Sequence, residues 1–87
     1  MEARAVAAAL HDYLSGQTTF TDLRQWRGAH LGELATLDDP RAQALALALE
    51  RAIGHWHQGW PEQRLHDELV RAVREANRRH LWFWEVP

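Results

Sequence analysis

The sequence predicts an all-α protein, a small four-helix bundle-like domain with an aromatic extension at its carboxyl end. Apolar residues recur at spacings of three and four through most of the chain, which is the period of an amphipathic helix. Apolar residues make up 46% of the 87 positions, whereas Gly and Pro together fill only 8. This composition is typical of a folded globular chain rather than a disordered one, and the length leaves room for a single domain.

The first predicted helix covers about residues 2–15. Its alanine-rich sequence has a high intrinsic helix propensity. One apolar stripe follows at helical spacing, formed by Val6, Leu10, Tyr13 and Leu14. Gly16 stands directly after this stretch and is predicted to end the helix in the left-handed conformation, which glycine adopts at no steric cost.

The second predicted helix covers about residues 20–36 and contains a break near residues 28–32. Thr19 is predicted as its N-cap, with Asp22 completing a capping box three residues later. The break is expected because Gly28 and Gly32 weaken the helix. The residues predicted to point inward are Phe20, Leu23, Trp26, either Ala29 or His30, and also Leu31 and Leu34.

The third and fourth helices are predicted over about residues 40–58 and 61–79. Asp39 and Pro40 are typical of a helix start, and Gly59 follows the end of the third helix. Its main face comprises Leu45, Leu49, Ala52, Ile53 and Trp56. Leu47 lies off this face, so the helix is predicted to be central or to contact another chain. The inner face of the fourth helix comprises Leu65, Leu69, Ala72, Val73 and Ala76.

The residue inventory argues against catalysis and metal binding. The chain has no cysteine, and none of its six histidines has a second histidine at a spacing that would place two ligands on one helical face. It has one serine and no glycine-rich phosphate loop. We therefore predict no catalytic residue, no metal and no cofactor. No apolar run is long enough to cross a bilayer and no signal peptide is evident, so we expect a cytoplasmic protein without membrane contact.

The basic residues allow two interpretations. All ten are arginine, and the fourth helix carries a row of them, Arg64, Arg71, Arg74 and Arg78. Such a row next to aromatic residues is typical of nucleic-acid binding, which is our alternative hypothesis for function. The other interpretation is a solvated helix face with ion pairs at i,i+4 spacing, such as Asp67–Arg71 and Arg71–Glu75. The sequence favours this second interpretation because acids interrupt the row and the net charge is −2.

The tail, residues 80–87, holds Trp82, Phe83 and Trp84 in succession. Three consecutive side chains cannot all face the same way in a helix or a strand. The tail therefore either packs across its own helices as structure or contacts a protein partner or a second copy of the chain. Tryptophan is also enriched among the residues that dominate protein interfaces. Our leading hypothesis is a non-enzymatic interaction module, a regulator, adaptor, or antitoxin- or immunity-type protein, whose partner-binding residues are Leu81, Trp82, Phe83, Trp84 and Val86.

Two segments resemble a group of short uncharacterised bacterial proteins. The first runs from Tyr13 to Trp26 with Gly16, Thr19 and Asp22 at the matching positions, and the second begins at Gly59 and Trp60. The likeness covers most of residues 6–73. It implies an all-helical fold and transfers no ligand, activity or functional residue. The group's usual Ser or Thr cap is replaced by Trp60 and Pro61, and the tail has no counterpart.

Overall fold

Residues 1–79 are described by the computed structural model of this chain, and within them every regular element is an α-helix. In chain order they are α1 (Ala3–Leu14), α2 (Phe20–Ala29), α3 (Leu31–Leu34), α4 (Pro40–His57) and α5 (Glu62–Arg79). The predicted all-α fold class is confirmed. The radius of gyration is 11.9 Å, close to the ~12 Å expected for a compact chain of this length. The predicted aromatic extension, residues 80–87, lies outside the described residues.

The ends of α1, α2 and α4 are formed by short-range signals in the sequence. The Thr19 hydroxyl accepts a hydrogen bond from the Asp22 backbone N–H (3.1 Å), and the Thr19 backbone N–H donates to the Asp22 carboxylate (2.9 Å), so the predicted capping box is present. Pro40 begins α4, and the Asp39 carboxylate accepts from the backbone N–H of Arg41 (2.8 Å). Gly16 and Gly59 follow α1 and α4 with φ of 83° and 91°, the left-handed region that favours glycine.

One residue separates α2 from α3. His30 has φ −121° and ψ 19°, which interrupts the helical backbone, and its Nδ1 lies 2.7 Å from the carbonyl oxygen of Trp26. The segment between α3 and α4 is held by a hydrogen bond. The side-chain amide of Gln43 donates to the carbonyl oxygen of Leu37 (2.6 Å). This bond ties the connecting segment to α4, and Leu37 is buried there with 6% exposure.

The most extensive helix pairing joins α4 to α5, and α1 packs against α2, α4 and α5. Pro40 and Arg41 at the start of α4 share a groove with Glu75 and Ala76 near the end of α5, so the two helices are antiparallel. This arrangement follows from the four-residue connection 58–61, since short links favour antiparallel neighbours.

The core contains the apolar stripes of α1, α2, α4 and α5. Its buried members are Val6, Ala7, Leu10, Tyr13, Phe20, Leu23, Leu37, Ala42, Leu45, Leu49, Ala52, Ile53, Leu65, Leu69, Val73 and Ala76. Most of these residues lie on the predicted inward faces. Leu37 is an addition, because the sequence offers no helical period in the segment where it lies.

Several predicted core positions are wrong or only partly right. Leu31 is 49% exposed and Trp56 is 37% exposed, although both were expected to point inward. Trp26 and Leu34 pack against the core while remaining partly exposed. Leu31 stands at the first position of a one-turn helix, so its direction is set by the break at His30 rather than by a helical period.

Trp56 forms part of the surface because it lies in the last turn of α4. Its ring is 6.3 Å from the ring of Phe20, and the guanidinium of Arg24 lies 3.8 Å above the indole. The ring therefore packs against the edge of the core on one side and under a cation on another. An arginine covers apolar ring surface in this way while keeping its own charge in water.

Candidate functional site

Trp60 is positioned by the way α4 ends. The backbone N–H of Gly59 donates to the Trp56 carbonyl (3.0 Å), and that of Trp60 donates to the His55 carbonyl (3.1 Å). These two bonds form a Schellman motif, which commonly brings the side chain two residues beyond the C-cap onto the last full turn of the helix. Here it places the Trp60 ring parallel to the His55 ring, with centroids 3.8 Å apart and an interplanar angle of 7°.

Helix α5 contributes two further side chains beside Trp60. The Arg64 guanidinium lies 3.9 Å from the centre of the Trp60 ring, a cation–π geometry. The carboxylate of Glu68 lies 3.0 Å from Nδ1 of His55, which joins α4 to α5. Both members of this contact are about three-quarters buried, with 27% and 20% of their side chains exposed. The four side chains hold each other in place at one end of α5.

A groove runs along α5 from this end, and we call it the α5 groove. It has a volume of about 570 Å³ and is lined by Trp60, Arg64, Asp67, Glu68, Val70, Arg71 and Arg74. Three of the four arginines of the predicted nucleic-acid site therefore come together on one surface, beside an aromatic ring that the prediction did not include. The fourth, Arg78, lies outside the groove lining and contacts Glu75 at 3.2 Å.

The carboxylates in or near the α5 groove make their hydrogen bonds with groups other than Arg71 and Arg74. Asp67 accepts a hydrogen bond from the Gln63 side chain (3.0 Å), Glu68 contacts His55, and Glu75 contacts Arg78. Within residues 1–79 neither Arg71 nor Arg74 forms an ion pair. The predicted pairs Asp67–Arg71 and Arg71–Glu75 are therefore wrong, because each acid has a different neighbour within reach.

A second surface is apolar and lies between α3 and α4. It forms a groove of about 340 Å³ lined by Leu31, Leu34, Ala35, Ala46, Leu47 and Glu50, which we call the α3–α4 patch. Leu31 and Leu47 are 49% and 51% exposed, and they come from different helices. Scattered single leucines on a surface are ordinary, whereas two that line one groove are typical of a contact surface.

One edge of the α3–α4 patch is held by an ion pair between α2 and α4. The guanidinium of Arg27 donates two hydrogen bonds to the Glu50 carboxylate, with the Nη2 to Oε2 distance at 2.6 Å. This two-point geometry is the strongest kind of arginine–carboxylate contact. The charge of Glu50, which lines the patch, is therefore paired with that of Arg27 at this edge.

Two groups have strongly shifted pKa values, and neither lies in the α5 groove or the α3–α4 patch. Burial in the core raises the pKa of Tyr13 to about 12, and the nearby negative charge of Glu62 adds to the effect. Hydrogen bonds from the Arg41 side chain and backbone lower the pKa of Asp39 to about 2. Both shifts are explained by structural roles, one in the core and one in the cap of α4.

The predictions that remain concern the tail residues, a metal site and a membrane-spanning helix. The predicted partner-binding residues lie outside the described part of the chain; they are Leu81, Trp82, Phe83, Trp84 and Val86. Within residues 1–79, no group of three or more His, Asp or Glu side chains is placed to hold a metal ion. None of the helices in the same range is both long and apolar enough to cross a membrane.

The cluster around Trp60 was not predicted, although the sequence contains a signal for it. A glycine at the end of α4 followed directly by Trp60 places that tryptophan five residues after His55, the spacing of a Schellman contact. No family model, curated protein or solved structure matches this chain. The resemblance to short bacterial helical proteins therefore stays a prediction.

Proposed function

We propose that this chain is a cytoplasmic, non-enzymatic protein-interaction module whose α3–α4 patch binds the same patch of a second copy. The observation that carries the proposal is the pair of half-exposed leucines, Leu31 and Leu47, lining one groove. It agrees with the sequence pattern, in which Leu47 lies off the main apolar face of α4. The predicted tail contact is a separate interaction hypothesis, which the same experiment tests with its own variant.

The charges on α4 suit pairing about a two-fold axis. If the axis passes beside Leu47 and the two α4 helices run antiparallel, Gln43 faces Arg51 of the other copy. In the same register Ala44 faces Glu50 of the other copy. No like charges oppose each other, and Ala46 is small enough to let the helices approach closely.

The apolar surface available predicts a weak dimer. Burying a whole Leu side chain contributes about 1.5–3 kcal/mol, so the exposed half of each leucine contributes about 1 kcal/mol. A symmetric dimer buries four such halves, or about 4 kcal/mol in all. Association also costs translational and rotational freedom. We therefore expect reversible self-association that depends on protein concentration, as is typical of a transient regulatory contact.

The test is sedimentation equilibrium of the full chain from about 10 µM to about 1 mM, a range that brackets a weak dissociation constant. The average mass should rise with concentration for the unmodified chain. Leu47→Glu should stay monomeric because it places two carboxylates at the two-fold axis. Ala8→Glu, which adds the same charge on the exposed face of α1, should associate like the unmodified chain.

A charge-swap mixture makes the test specific for the proposed register. Leu47→Glu and Leu47→Arg should each be monomeric alone, and an equal mixture should form a heterodimer because opposite charges then meet at the axis. The circular dichroism of each variant should match that of the unmodified chain. A chain that stays monomeric at every concentration, or a mixture that does not associate, contradicts the proposal.

The tail hypothesis has its own variant in the same experiment. A chain truncated after His80 should still self-associate if the α3–α4 patch carries the contact. If truncation abolishes association while Leu47→Glu leaves it intact, the contact belongs to the tail and our assignment to the patch is wrong.

A further inference from the structure

The α5 groove has more arginines than acids in its lining, three against two. Arg64, Arg71 and Arg74 line it together, and the last two form no ion pair within residues 1–79. The two acids of the lining, Asp67 and Glu68, make their contacts with Gln63 and His55 instead. The lining therefore has a small formal excess of positive charge, and the guanidinium groups of Arg71 and Arg74 are not paired with its acids, which suits it to an anion.

The spacing of the arginines indicates an elongated anion. Arg64 and Arg74 are ten residues apart on one helix, which corresponds to about 15 Å along its axis at ~1.5 Å per residue. A single phosphate or carboxylate cannot contact both ends of such a row. A chain of phosphates can, and the guanidinium group donates two parallel hydrogen bonds that match phosphate oxygens.

Trp60 gives the groove a second feature of nucleic-acid surfaces. Its ring holds the Arg64 guanidinium at 3.9 Å and is itself held by His55, so the charged plane is presented in one orientation. Arginine planes and aromatic rings both accept unpaired nucleic-acid bases by stacking. Bases are accessible for stacking in a single strand and are paired within a duplex.

We propose that the α5 groove binds a single-stranded nucleic acid, with Arg71 and Arg74 on the phosphate backbone and the Trp60–Arg64 pair against a base. This site differs from the sequence hypothesis in two respects: Arg78 is outside it, and the aromatic component is Trp60. It is also independent of the α3–α4 patch, which is lined by α3 and the middle of α4.

Salt dependence of binding is the direct test. The probe is a fluorescein-labelled oligothymidylate of about 20 nucleotides, longer than the ~4–16 nucleotides that one small binding domain covers. The two phosphate contacts, at Arg71 and Arg74, predict a slope of about −1.4 for log affinity against log salt. Raising KCl from ~50 to ~200 mM should therefore lower the affinity about 7-fold in fluorescence anisotropy.

Two matched double variants locate the site. Arg71→Ala/Arg74→Ala should bring the slope close to zero, since neither phosphate contact remains. Arg4→Ala/Arg78→Ala changes the net charge equally outside the groove and should keep the original slope. All four residues are exposed, so the helical circular dichroism should not change. If the alanine variant loses helicity, Arg71→Gln/Arg74→Gln replaces it, because glutamine keeps part of the aliphatic stem.

Several results overturn the proposal. The proposal is wrong if the chain does not bind the oligothymidylate at the lowest salt, or if both double variants lose the same affinity for it. It is also wrong if a duplex of the same length binds equally tightly, or if polyglutamate at the same charge concentration competes as well as unlabelled oligothymidylate. Sedimentation of Arg71→Ala/Arg74→Ala separates this proposal from the previous one. That variant should self-associate like the unmodified chain even if it no longer binds the oligonucleotide.

Discussion

Tyr13→Phe removes one oxygen from the core, and its effect on stability should change with pH. Tyr13 is 4% exposed, and its buried hydroxyl has no hydrogen-bond partner among residues 1–79. Burying an unpartnered hydroxyl costs about 1–3 kcal/mol in protein measurements. At neutral pH we therefore expect Tyr13→Phe to raise the free energy of unfolding by about 1 kcal/mol, because phenylalanine fills nearly the same space.

The alkaline range provides the stronger test. The tyrosine pKa is 10.0 in the unfolded chain and about 12 in the folded one. Between these values the unfolded state loses a proton that the folded state retains, so stability falls as pH rises. Two pKa units correspond to a loss on the order of 3 kcal/mol by about pH 12. Tyr13→Phe should not show this loss.

In this composition few other groups titrate in the same pH range as Tyr13. The chain has one tyrosine, no cysteine and no lysine, so no other side chain ordinarily titrates between about pH 9 and 12. Urea unfolding followed by circular dichroism gives stability at each pH for both proteins. The ultraviolet absorbance of the phenolate gives the pKa of Tyr13 directly. Appearance of phenolate near pH 10 in the folded chain, or parallel stability curves for the two proteins, contradicts the structural argument.

Two further predictions concern the helix caps. Thr19→Ala removes the side-chain half of the α2 capping box and should lower the free energy of unfolding by about 1 kcal/mol, whereas Thr18→Ala should have little effect. Urea unfolding of the two variants decides this, and equal losses would count against the cap. Asp39→Ala should flatten the acid side of the stability curve. The unmodified chain should lose stability as pH falls from about 4 toward 2, because the Arg41 contacts favour the ionised carboxylate and hold its folded pKa at about 2. Thermal unfolding at about pH 7, 4 and 2.5 measures the difference, and identical acid sensitivity in the variant would show that Asp39 is not its source.

Much of the fold could be predicted because its signals act over a few residues. The capping box of Thr19 and Asp22, the start of α4 at Pro40 and the left-handed Gly16 and Gly59 each depend on neighbours within one turn. The buried faces of α1 and α5 follow from a 3.6-residue period. The predicted burial is wrong at two kinds of position. Leu31 lies in a helix too short to have an apolar period, and Trp56 lies in the last turn of α4, at the edge of the core.

The candidate sites were less accessible to sequence reasoning. The row of arginines on α5 is visible in the sequence, but its pairing was predicted wrongly because several partners at similar spacing compete for each charge. The packing of α4 against α5 assigns Glu68 to His55 and leaves Arg71 without a carboxylate among the described residues. The patch at Leu31 and Leu47 likewise requires knowing how α3 lies beside α4.

The sequence alone determined the helical class, the helix ends and most of the buried residues, because backbone capping and amphipathic period are local properties of the chain. Only the tertiary structure decided which exposed side chains share a surface. Trp60 with Arg64, and Leu31 with Leu47, are brought together by the angle and register at which helices pack. Those quantities depend on the whole core, and no short stretch of residues encodes them.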